Sequence, residues 1–310
     1  MTRARVYKST GSWYQVKTDA GSFIQARIKG KMKIGDISST NPVAVGDFVM
    51  LENASDPENA VISEVCERTN YINRISPHNK KQHHIVASNL DQTLLIATVK
   101  EPRTSLGFID RFLITAEAFH VPAIIVFNKT DLLDAEEEEE LKKITAIYEA
   151  IGYKVLHTSL ETKRGLEEVH ALLQGKTTLL SGHSGVGKST FINLLFPDFQ
   201  LKTMEVSDWS GKGMHTTTFA EMFDLPDGGS VIDTPGIREM GLYEMEKTEL
   251  AHYFPEMRER MQDCQFNNCV HINEPGCAIK KAVANEHNGI SMERYMSYLT
   301  IFESLESTAY

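Results

Sequence analysis

The chain has 310 residues, 41% of them hydrophobic and 24% charged, and its formal net charge is −10. This length favours two or three domains, and the negative charge argues against a protein that coats nucleic acid along its whole surface. Residues 1–14 lack the apolar stretch of a signal peptide, and no apolar run reaches the roughly 20 residues of a membrane-spanning helix. We expect a cytoplasmic protein that does not bind membranes.

Short strands punctuated by glycine are predicted over residues 1–68. Residues 22–28 alternate polar and apolar side chains, and residues 43–49 form another strand-like run around a Gly-Asp turn. This pattern predicts a small β-barrel, without indicating its strand order. The segment is also locally basic, and such a patch either contacts phosphates or is simply solvated. Its cationic residues are Arg3, Arg5, Lys8, Lys17, Arg27, Lys29, Lys31 and Lys33, against the single acid Asp19.

Apolar runs alternate with helical patterns beyond a polar segment, residues 68–84, that we interpret as a linker. Asp134 is predicted to cap a helix that runs to Ile151, because acids in a first turn suit the positive end of a helix dipole. Alternating strands and helices of this kind predict a mainly parallel sheet covered by helices. The predicted strands are residues 94–99, 123–127, 155, 177–180 and 231–232.

A phosphate-binding pattern, G-x-x-x-x-G-K-S, spans residues 182–189, between the strand at 177–180 and an apolar helix at 190–195. Glycines let backbone N–H groups turn toward an anion, and the N-terminus of the following helix favours negative charge. Lys188 is expected to neutralise the β- and γ-phosphates, and the Ser189 hydroxyl is expected to hold Mg²⁺. The predicted phosphate-site residues are Gly182, Ser184, Gly185, Val186, Gly187, Lys188, Ser189 and Thr190.

Residues 128–131, Asn-Lys-Thr-Asp, follow the strand at 123–127 and bear on the choice of nucleotide. The Asp131 carboxylate can accept from both the N1–H and the exocyclic amine of guanine, whereas adenine lacks that donor pair. Asn128 and Lys129 complete the pattern, and residues 158–160, with Ser159 at their centre, follow the next strand and are placed to support the base through backbone groups. Together with the phosphate loop, this pattern predicts GTP and GDP as ligands.

Two further segments are candidates for the magnesium and γ-phosphate contacts. Asp233 follows a strand and can reach Mg²⁺ through water, and the Gly236 N–H can sense the γ-phosphate, although an ordinary Asp-Pro-Gly turn is the alternative. Within residues 216–218, all threonines, we favour Thr217 as a further Mg²⁺ ligand against a plain β-strand.

Four metal-ligand residues lie close together near the C-terminus, in the spacing Cys-x4-Cys-x-His-x5-Cys. In a chain without a secretion signal such clustered cysteines indicate a metal site before disulfides. Three thiols and one imidazole suit tetrahedral Zn²⁺ and leave no open coordination position, so a structural zinc site is predicted, with unligated cysteines as the alternative. The predicted ligands are Cys264, Cys269, His271 and Cys277.

A helix is predicted after the cysteine cluster, with Ser291 as its N-cap and an apolar stripe that packs in a core, with a partner-binding face as the alternative. The stripe consists of Met292, Tyr295, Met296, Leu299 and Phe302.

Residues 128–131 precede the phosphate loop, whereas common GTPases have the two motifs in the opposite order. This order, the N-terminal β-domain and the cysteine cluster together resemble the RsgA/YjeQ family of circularly permuted GTPases over essentially the whole chain. The resemblance implies an OB-fold at residues 1–68, a circularly permuted α/β P-loop GTPase domain at 69–240 and a mostly helical zinc-binding domain at 241–310. It also implies GTP hydrolysis stimulated by the 30S ribosomal subunit, contact with 16S rRNA and a role in late 30S maturation, and we expect a monomer.

Hydrolysis needs a group that orients the attacking water, and Ile237 stands where many GTPases have a glutamine. His215 is the best candidate, because the resembled family assigns this role to the corresponding histidine; the residues alone would favour an exposed loop histidine. The predicted catalytic residues are His215, Lys188 and Thr217. Two alternatives stay open: a nucleotide-sensing RNA-binding module with incidental turnover, and a GTPase whose partner is tRNA or a protein.

Overall fold

The computed structural model describes residues 1–29, 42–56, 60–75, 83–196, 220–234, 245–285 and 289–305. The N-terminal strands are β1 (Thr2–Ser9), β2 (Tyr14–Thr18), β3 (Phe23–Ile28), β4 (Phe48–Glu52) and β5 (Val61–Val65). They pair in the closed order β1-β2-β3-β5-β4-β1, with β3 and β5 parallel and the other neighbours antiparallel. Alternate side chains such as Val6, Val16 and Ile62 are fully buried inside. The predicted barrel is confirmed, and its closed five-stranded form is that of an OB-fold.

The strand expected at residues 43–49 is regular only from Phe48, where β4 begins. Before it, Val45 forms an isolated bridge with Ala87. Gly46 has a φ of +94°, and a Cβ there would lie 2.2 Å from the carbonyl oxygen of Ser88. The buried Asp47 carboxylate accepts from Arg68 Nε at 2.7 Å and from Ser88 Oγ at 2.5 Å. Residues 43–47 therefore form no regular ladder, because their backbone presses against a later part of the chain.

A hairpin replaces part of the linker expected at residues 68–84. Its strands, β6 (Tyr71–Ile75) and β7 (His83–Ser88), pair antiparallel as a separate two-stranded sheet. Ile72 and Ala87 are fully buried and join the main core of the following domain. The linker interpretation is wrong here because the polar composition concealed buried strand residues, among them Asn73 at 3% exposure and the consecutive residues Ile85, Val86, Ala87 and Ser88.

The central domain alternates strands and helices, as predicted. Its sheet has the order β10-β9-β8-β11-β13-β12, parallel throughout except that β12 runs antiparallel to β13. Two apolar cores contribute to it, one containing residues of α1 and α2 and the other residues of α3 and α4. The elements are β8 (Gln92–Ala97), α1 (Leu106–Ala118), β9 (Ala123–Phe127), a 3-10 helix (Thr130–Leu132), α2 (Ala135–Ala150), β10 (Lys154–His157), α3 (Leu166–Leu173), β11 (Thr177–Ser181), α4 (Lys188–Leu195), β12 (Glu221–Asp224) and β13 (Ser230–Asp233).

Helix α2 begins where the acidic run predicted. Asp134 accepts from the N–H groups of Glu136 and Glu137, and Glu137 accepts in return from the Asp134 N–H, all at 3.0 Å. Such a capping box satisfies orphan donors at the helix start, and loss of a cap side chain typically costs about 1 kcal/mol.

The barrel is joined to the central sheet through β1, which pairs antiparallel with β12 where Lys8 faces Glu221. Side chains reinforce this seam: Lys8 Nζ contacts Glu221 at 2.6 Å. Asp224 receives the Tyr7 hydroxyl at 2.6 Å and Lys17 Nζ at 2.5 Å. One continuous eleven-stranded sheet therefore runs through the barrel and the central domain.

The C-terminal part is built from short helices around its own core, to which Ile114 of α1 contributes. Ser291 caps α7 as predicted, accepting from the Arg294 N–H at 3.2 Å. The predicted core stripe is confirmed for Tyr295, Leu299 and Phe302, which pack against this core. It is wrong for Met292 and Met296, which are 55% and 52% exposed, and the fully buried face of the helix instead carries Arg294. The elements are a 3-10 helix (Leu250–Tyr253), α5 (Pro255–Arg258), a 3-10 helix (Met261–Asp263), α6 (Ala278–Val283) and α7 (Met292–Ser304).

The predicted domain boundaries after residues 68 and 240 stay predictions, and the second falls within residues 235–244, outside the described part of the chain. Among the described residues, no helix is both long and apolar enough to cross a membrane.

Candidate functional site

The phosphate loop connects the end of β11 to the start of α4, at the carboxyl edge of the parallel sheet. Gly182 has a φ of +138°, and a Cβ there would lie 2.2 Å from the Ile96 carbonyl oxygen. Gly187 has a φ of +99°, and a Cβ there would lie 2.7 Å from Asn128 Nδ2. Both positions therefore require glycine. Val186 is fully buried and fixes the loop to the core, whereas Ser184, Gly185 and Thr190 are exposed.

Lys188 lies across the inside of this loop. Its Nζ donates to the carbonyl oxygens of Gly182 and His183, each at 2.8 Å. Burial lowers the pKa of Lys188, and the nearby Asp233 carboxylate opposes that shift. The ammonium group is thus held by two neutral acceptors, which phosphate oxygens can replace. Ser189, next along α4, is half-buried at the first turn of that helix.

Asn128 connects the base-recognition segment to the phosphate loop. Its Nδ2 donates to the Val186 carbonyl at 2.8 Å, and its Oδ1 accepts from the Thr158 hydroxyl at 3.1 Å. Because β10, β9, β8 and β11 are parallel neighbours, segments that follow them meet at one edge of the sheet whatever their order in sequence. Thr158 opens the segment expected to support the base through backbone groups, whereas its side-chain contact with Asn128 was not predicted.

The other base-recognition residues lie on the same edge. Lys129 has a left-handed φ of +62°, and its Nζ donates to the Glu101 carbonyl at 2.5 Å. Asp131 is exposed in the following 3-10 helix, and no hydrogen bond to its carboxylate is formed within the described ranges. Ser159 is buried, and its hydroxyl accepts from the Thr162 N–H at 3.0 Å. Its side chain therefore shapes its own loop, while Asp131 is accessible to a ligand.

Asp233 ends β13 beside the phosphate loop. Its Oδ1 is buried and, among the residues described, has no hydrogen-bond partner. Burial raises the pKa of this carboxyl, while the charge of Lys188 lowers it. A buried carboxylate oxygen without a donor, close to a cation and a phosphate loop, fits the surroundings of a magnesium ion and its waters. His215, Thr217, Gly236 and Ile237 lie outside the described residues, and their predicted roles stay predictions.

Three thiols and an imidazole meet in the C-terminal part, with all four ligand atoms within 4.8 Å of one another. His271 Nδ1 lies 3.6 Å from Cys264 Sγ and 3.4 Å from Cys277 Sγ. Burial raises the pKa of the Cys269 thiol to about 12, so this thiolate needs a cation to be stable at neutral pH. The donor set, its compactness and its burial fit a structural zinc ion.

Residues outside the predicted ligands hold the loop around this cluster. Glu274 accepts from the N–H groups of Val270, at 3.1 Å, and Ile272, at 2.9 Å. From α7, the Tyr295 hydroxyl donates to the His271 carbonyl and the Tyr298 hydroxyl donates to the Val270 carbonyl, both at 2.7 Å. Sequence spacing indicated the ligands but not these supports, because they depend on how α7 packs.

The basic patch predicted on the barrel is largely paired within the protein. Lys8, Lys17 and Lys29 contact carboxylates. Arg5 donates to the backbone carbonyls of Gly46 and Asn89. The exposed Arg27 instead lies 3.7 Å from the centre of the Trp13 ring. Lys31 and Lys33 lie outside the described residues.

Comparisons with known proteins give one consistent result. The family model described as RsgA GTPase matches residues 65–243, and that of the RsgA N-terminal domain matches residues 4–62. Small ribosomal subunit biogenesis GTPase RsgA of Bacteroides fragilis is 50% identical over 305 residues, covering 98% of this chain and 97% of the relative. That of Christiangramia forsetii is 49% identical over 303 residues, covering 97% and 96%.

Solved structures agree with these relatives. YjeQ from Thermotoga maritima superposes with a TM-score of 0.77 at 32% identity, covering 98% of both chains. YloQ, described as a circularly permuted GTPase, superposes with a TM-score of 0.73 at 28% identity, covering 98% of this chain and 95% of its own.

Proposed function

The chain belongs to the RsgA GTPase family, and from that premise we propose that it hydrolyses GTP to GDP and phosphate while bound to the 30S subunit, late in small-subunit maturation. It is a circularly permuted GTPase of small ribosomal subunit biogenesis. The observation that carries the proposed site is the Asn128 side chain, which donates to the phosphate loop at Val186 from within the base-recognition segment. Purine and phosphate recognition are therefore built into one unit.

Guanine is recognised by Asp131, whose exposed carboxylate accepts from the two donors on one edge of the base. Lys129 lies against the base, and the backbone around Ser159 completes the pocket. The phosphates are held by backbone N–H groups of residues 182–190 and by Lys188, which exchanges two loop carbonyls for phosphate oxygens. The N-terminus of α4 adds its positive dipole end to this anion site.

Ser189, Thr217 and, through water, Asp233 would hold a magnesium ion. Bound there, the ion would neutralise negative charge on the phosphates. His215 orients the attacking water, since the aliphatic Ile237 offers no hydrogen bond to it. Lys188 stabilises charge on the transferring phosphoryl group, and the Gly236 N–H registers whether the γ-phosphate is present. The unpartnered Asp233 Oδ1 supports this arrangement.

The zinc ion is structural. Cys264, Cys269, His271 and Cys277 provide four ligands, so no coordination position is left for a substrate. Its task is to hold a short-helix region that has only a small apolar core of its own.

The partner is the 30S subunit with its 16S rRNA, and the protein acts as a monomer in the cytoplasm, where that subunit matures. The exposed Arg27 stacked on Trp13, with Phe23 53% exposed on the same barrel, supports contact with nucleobases and phosphates. These groups replace the paired lysines as the surface with which the barrel meets rRNA.

The test is a multiple-turnover GTPase assay with purified protein, with and without 30S subunits, and with 50S subunits as a control. We expect 30S particles to raise kcat, and 50S particles to leave it near the basal rate. Equal turnover in all three conditions, with GTP still bound, would favour the nucleotide-sensing RNA-binding module instead.

A further inference from the structure

Phe108, in the first turn of α1, packs against the phosphate loop although α1 carries none of the nucleotide motifs. Its ring centroid lies 3.9 Å from that of His183, with 31° between the two planes. His183 begins the crest of the loop, residues 183–185, of which Ser184 and Gly185 are exposed. The aromatic contact therefore reaches the part of the loop that faces outward.

The two ends of the loop are fixed in a different way from its crest. Gly182 abuts β8 at the Ile96 carbonyl, and Val186 is buried in the core. On the inside, Lys188 binds the carbonyls of residues 182 and 183, and phosphate oxygens compete for the same ammonium group. The Phe108 ring packs on the His183 side chain, whereas Lys188 binds backbone carbonyls, so the two contacts use different atoms of the loop.

The segment that carries Phe108 is itself held firmly. The Thr104 N–H donates to the Thr98 carbonyl at 2.8 Å, and the Thr98 N–H donates to the Thr104 hydroxyl at 3.1 Å. Both threonines are buried. Ser105 then caps α1 by accepting from the Phe108 N–H at 3.2 Å. Closed internal hydrogen bonds and a helix cap leave the aromatic ring little freedom to move away from His183.

The same segment also touches the base-recognition side of the site. The Glu101 carbonyl accepts from Lys129 Nζ at 2.5 Å. Pro102 lies under the crest, since a Cβ at Gly185 would be 3.6 Å from Pro102 Cδ, an ordinary contact distance. Residues 98–108 thus contact both the phosphate loop and the base-recognition segment.

We propose that Phe108 is a positioning residue for nucleotide binding, which fixes the crest of the phosphate loop by stacking on His183. This inference rests on the proposed function, because it assigns the loop to GTP and GDP. Backbone N–H groups bind phosphate well only when they already point toward it. Ordering a mobile crest on binding would cost free energy and lower the affinity for nucleotide. Phe108 acts through His183 and does not itself touch the nucleotide.

The charge on His183 fits this role. Partial burial lowers the pKa of its imidazole, and the nearby Lys188 ammonium lowers it further. The ring is therefore neutral at physiological pH and stacks as an uncharged group on Phe108. Exposing the imidazole would remove the contribution of burial and raise its pKa, so the titration of His183 responds to loss of the stack.

The experiment is a double-mutant cycle on the full chain, with binding of a fluorescent GDP analogue as the readout. Phe108→Ala and His183→Ala should each weaken GDP binding by about tenfold, and the double variant should lose little more than either alone. Phe108→Tyr keeps the ring and should restore binding. In Phe108→Ala, the pKa of His183, followed by NMR, should rise toward its ordinary value.

Phe119→Ala is the matched control, because Phe119 ends the same helix and stacks on Tyr71, with 4.9 Å between ring centroids, away from the loop. It should lower the melting temperature and leave GDP affinity unchanged. Additive losses in the cycle, unchanged GDP affinity in Phe108→Ala, or equal losses in Phe119→Ala would each overturn the inference while the proposed function stands. Wild-type protein that binds no guanine nucleotide would overturn both.

Discussion

Arg294 of α7 donates from Nη1 to Asp110 Oδ1 of α1 at 2.6 Å, and both side chains are 1% exposed. Its Nε donates to Glu256 of α5 at 2.7 Å, and the Tyr148 hydroxyl donates to the same Asp110 oxygen at 2.8 Å. One arginine therefore joins the helices of the C-terminal part to two helices of the central domain. Burial raises the pKa of Asp110, whereas the Arg294 charge lowers it, so the arginine is needed to keep that carboxylate ionised.

Replacing Arg294 with methionine should destabilise the protein strongly. The substitution leaves Asp110 and Glu256 buried without a counter-charge, and breaking a buried pair in this way typically costs about 3–5 kcal/mol. Urea unfolding followed by circular dichroism measures the loss. Arg258→Met is the control, since that arginine is half exposed in its pair with Glu117 and should cost no more than about 1 kcal/mol. Equal effects of the two substitutions would contradict the prediction.

Asp131→Asn should change which nucleotide binds. Guanine keeps one hydrogen bond, now to a neutral amide oxygen, in place of two to a charged carboxylate, a loss of roughly 10²–10⁴ in affinity. Xanthine carries a carbonyl in place of the amine and gains a donor from the amide. Competition binding with GDP and xanthosine diphosphate measures the preference. Asp134→Asn, three residues further on, keeps a good helix cap and should leave the preference as it is. A retained guanine preference in Asp131→Asn would remove the basis of the proposed pocket.

His215→Ala should retain GTP affinity and lose most of the turnover that 30S subunits stimulate, because positioning of the water is a transition-state contribution. Single-turnover hydrolysis with saturating 30S subunits separates this step from product release. The control is His120→Asn, at an exposed position with a φ of +54°. Unaltered single-turnover rates in His215→Ala would mean that another group orients the attacking water.

The zinc cluster predicts one metal ion per chain. Cys277→Ser removes a ligand that is 2% exposed, so we expect metal content measured by mass spectrometry to fall and the C-terminal region to unfold at lower temperature. Cys66→Ser changes a half-buried cysteine far from the cluster in sequence and should leave the metal content at one. Loss of zinc from both variants, or from neither, would argue against this four-ligand site.

The contribution of Asp224 to the stability of the seam between the barrel and the central sheet should depend on pH. Burial alone would raise the pKa of this carboxyl, but hydrogen bonds from Lys17, Tyr7 and Ser230 bring it below its ordinary value. A depressed folded-state pKa means that the stabilisation is present above the ordinary pKa of 3.8 and is lost as pH falls through the lower folded value. Asp224→Asn should therefore cost stability at pH 7 and progressively less at pH 3, as measured by urea unfolding. A cost that does not change with pH would contradict this.

The motif loops could be predicted from sequence because their chemistry is local. Residues 182–189 and 128–131 each carry their pattern within a few positions, and the parallel sheet then brings them together. The capping box at Asp134 is local in the same sense. The hydrogen bonds that Asn128 makes with Val186 and Thr158 could not be derived from sequence, because they depend on the distance between adjacent strand ends.

Long-range pairing explains what the sequence did not reveal. An arginine is normally expected at the surface. Arg294 lies at the centre of a buried face because it forms an ion pair with Asp110, which stands 184 positions earlier. That inward arginine turns Met292 and Met296 outward, against the apolar pattern of the helix. The hairpin of β6 and β7 was missed for a related reason, since the core that buries Ile72 is formed by residues far from it in sequence, from Tyr7 to Ile232.

The bridge between Lys8 and Glu221 bears on how the protein can be dissected. Glu221, the first residue of β12, stands four positions after Thr217 in the sequence and pairs with Lys8 of the barrel. Deleting the barrel would also strip β12 of its neighbour and leave an open strand edge with unpaired N–H and C=O groups, which invites intermolecular pairing. A truncated GTPase fragment is therefore a poor stand-in for the intact chain, and its insolubility would say nothing about catalysis.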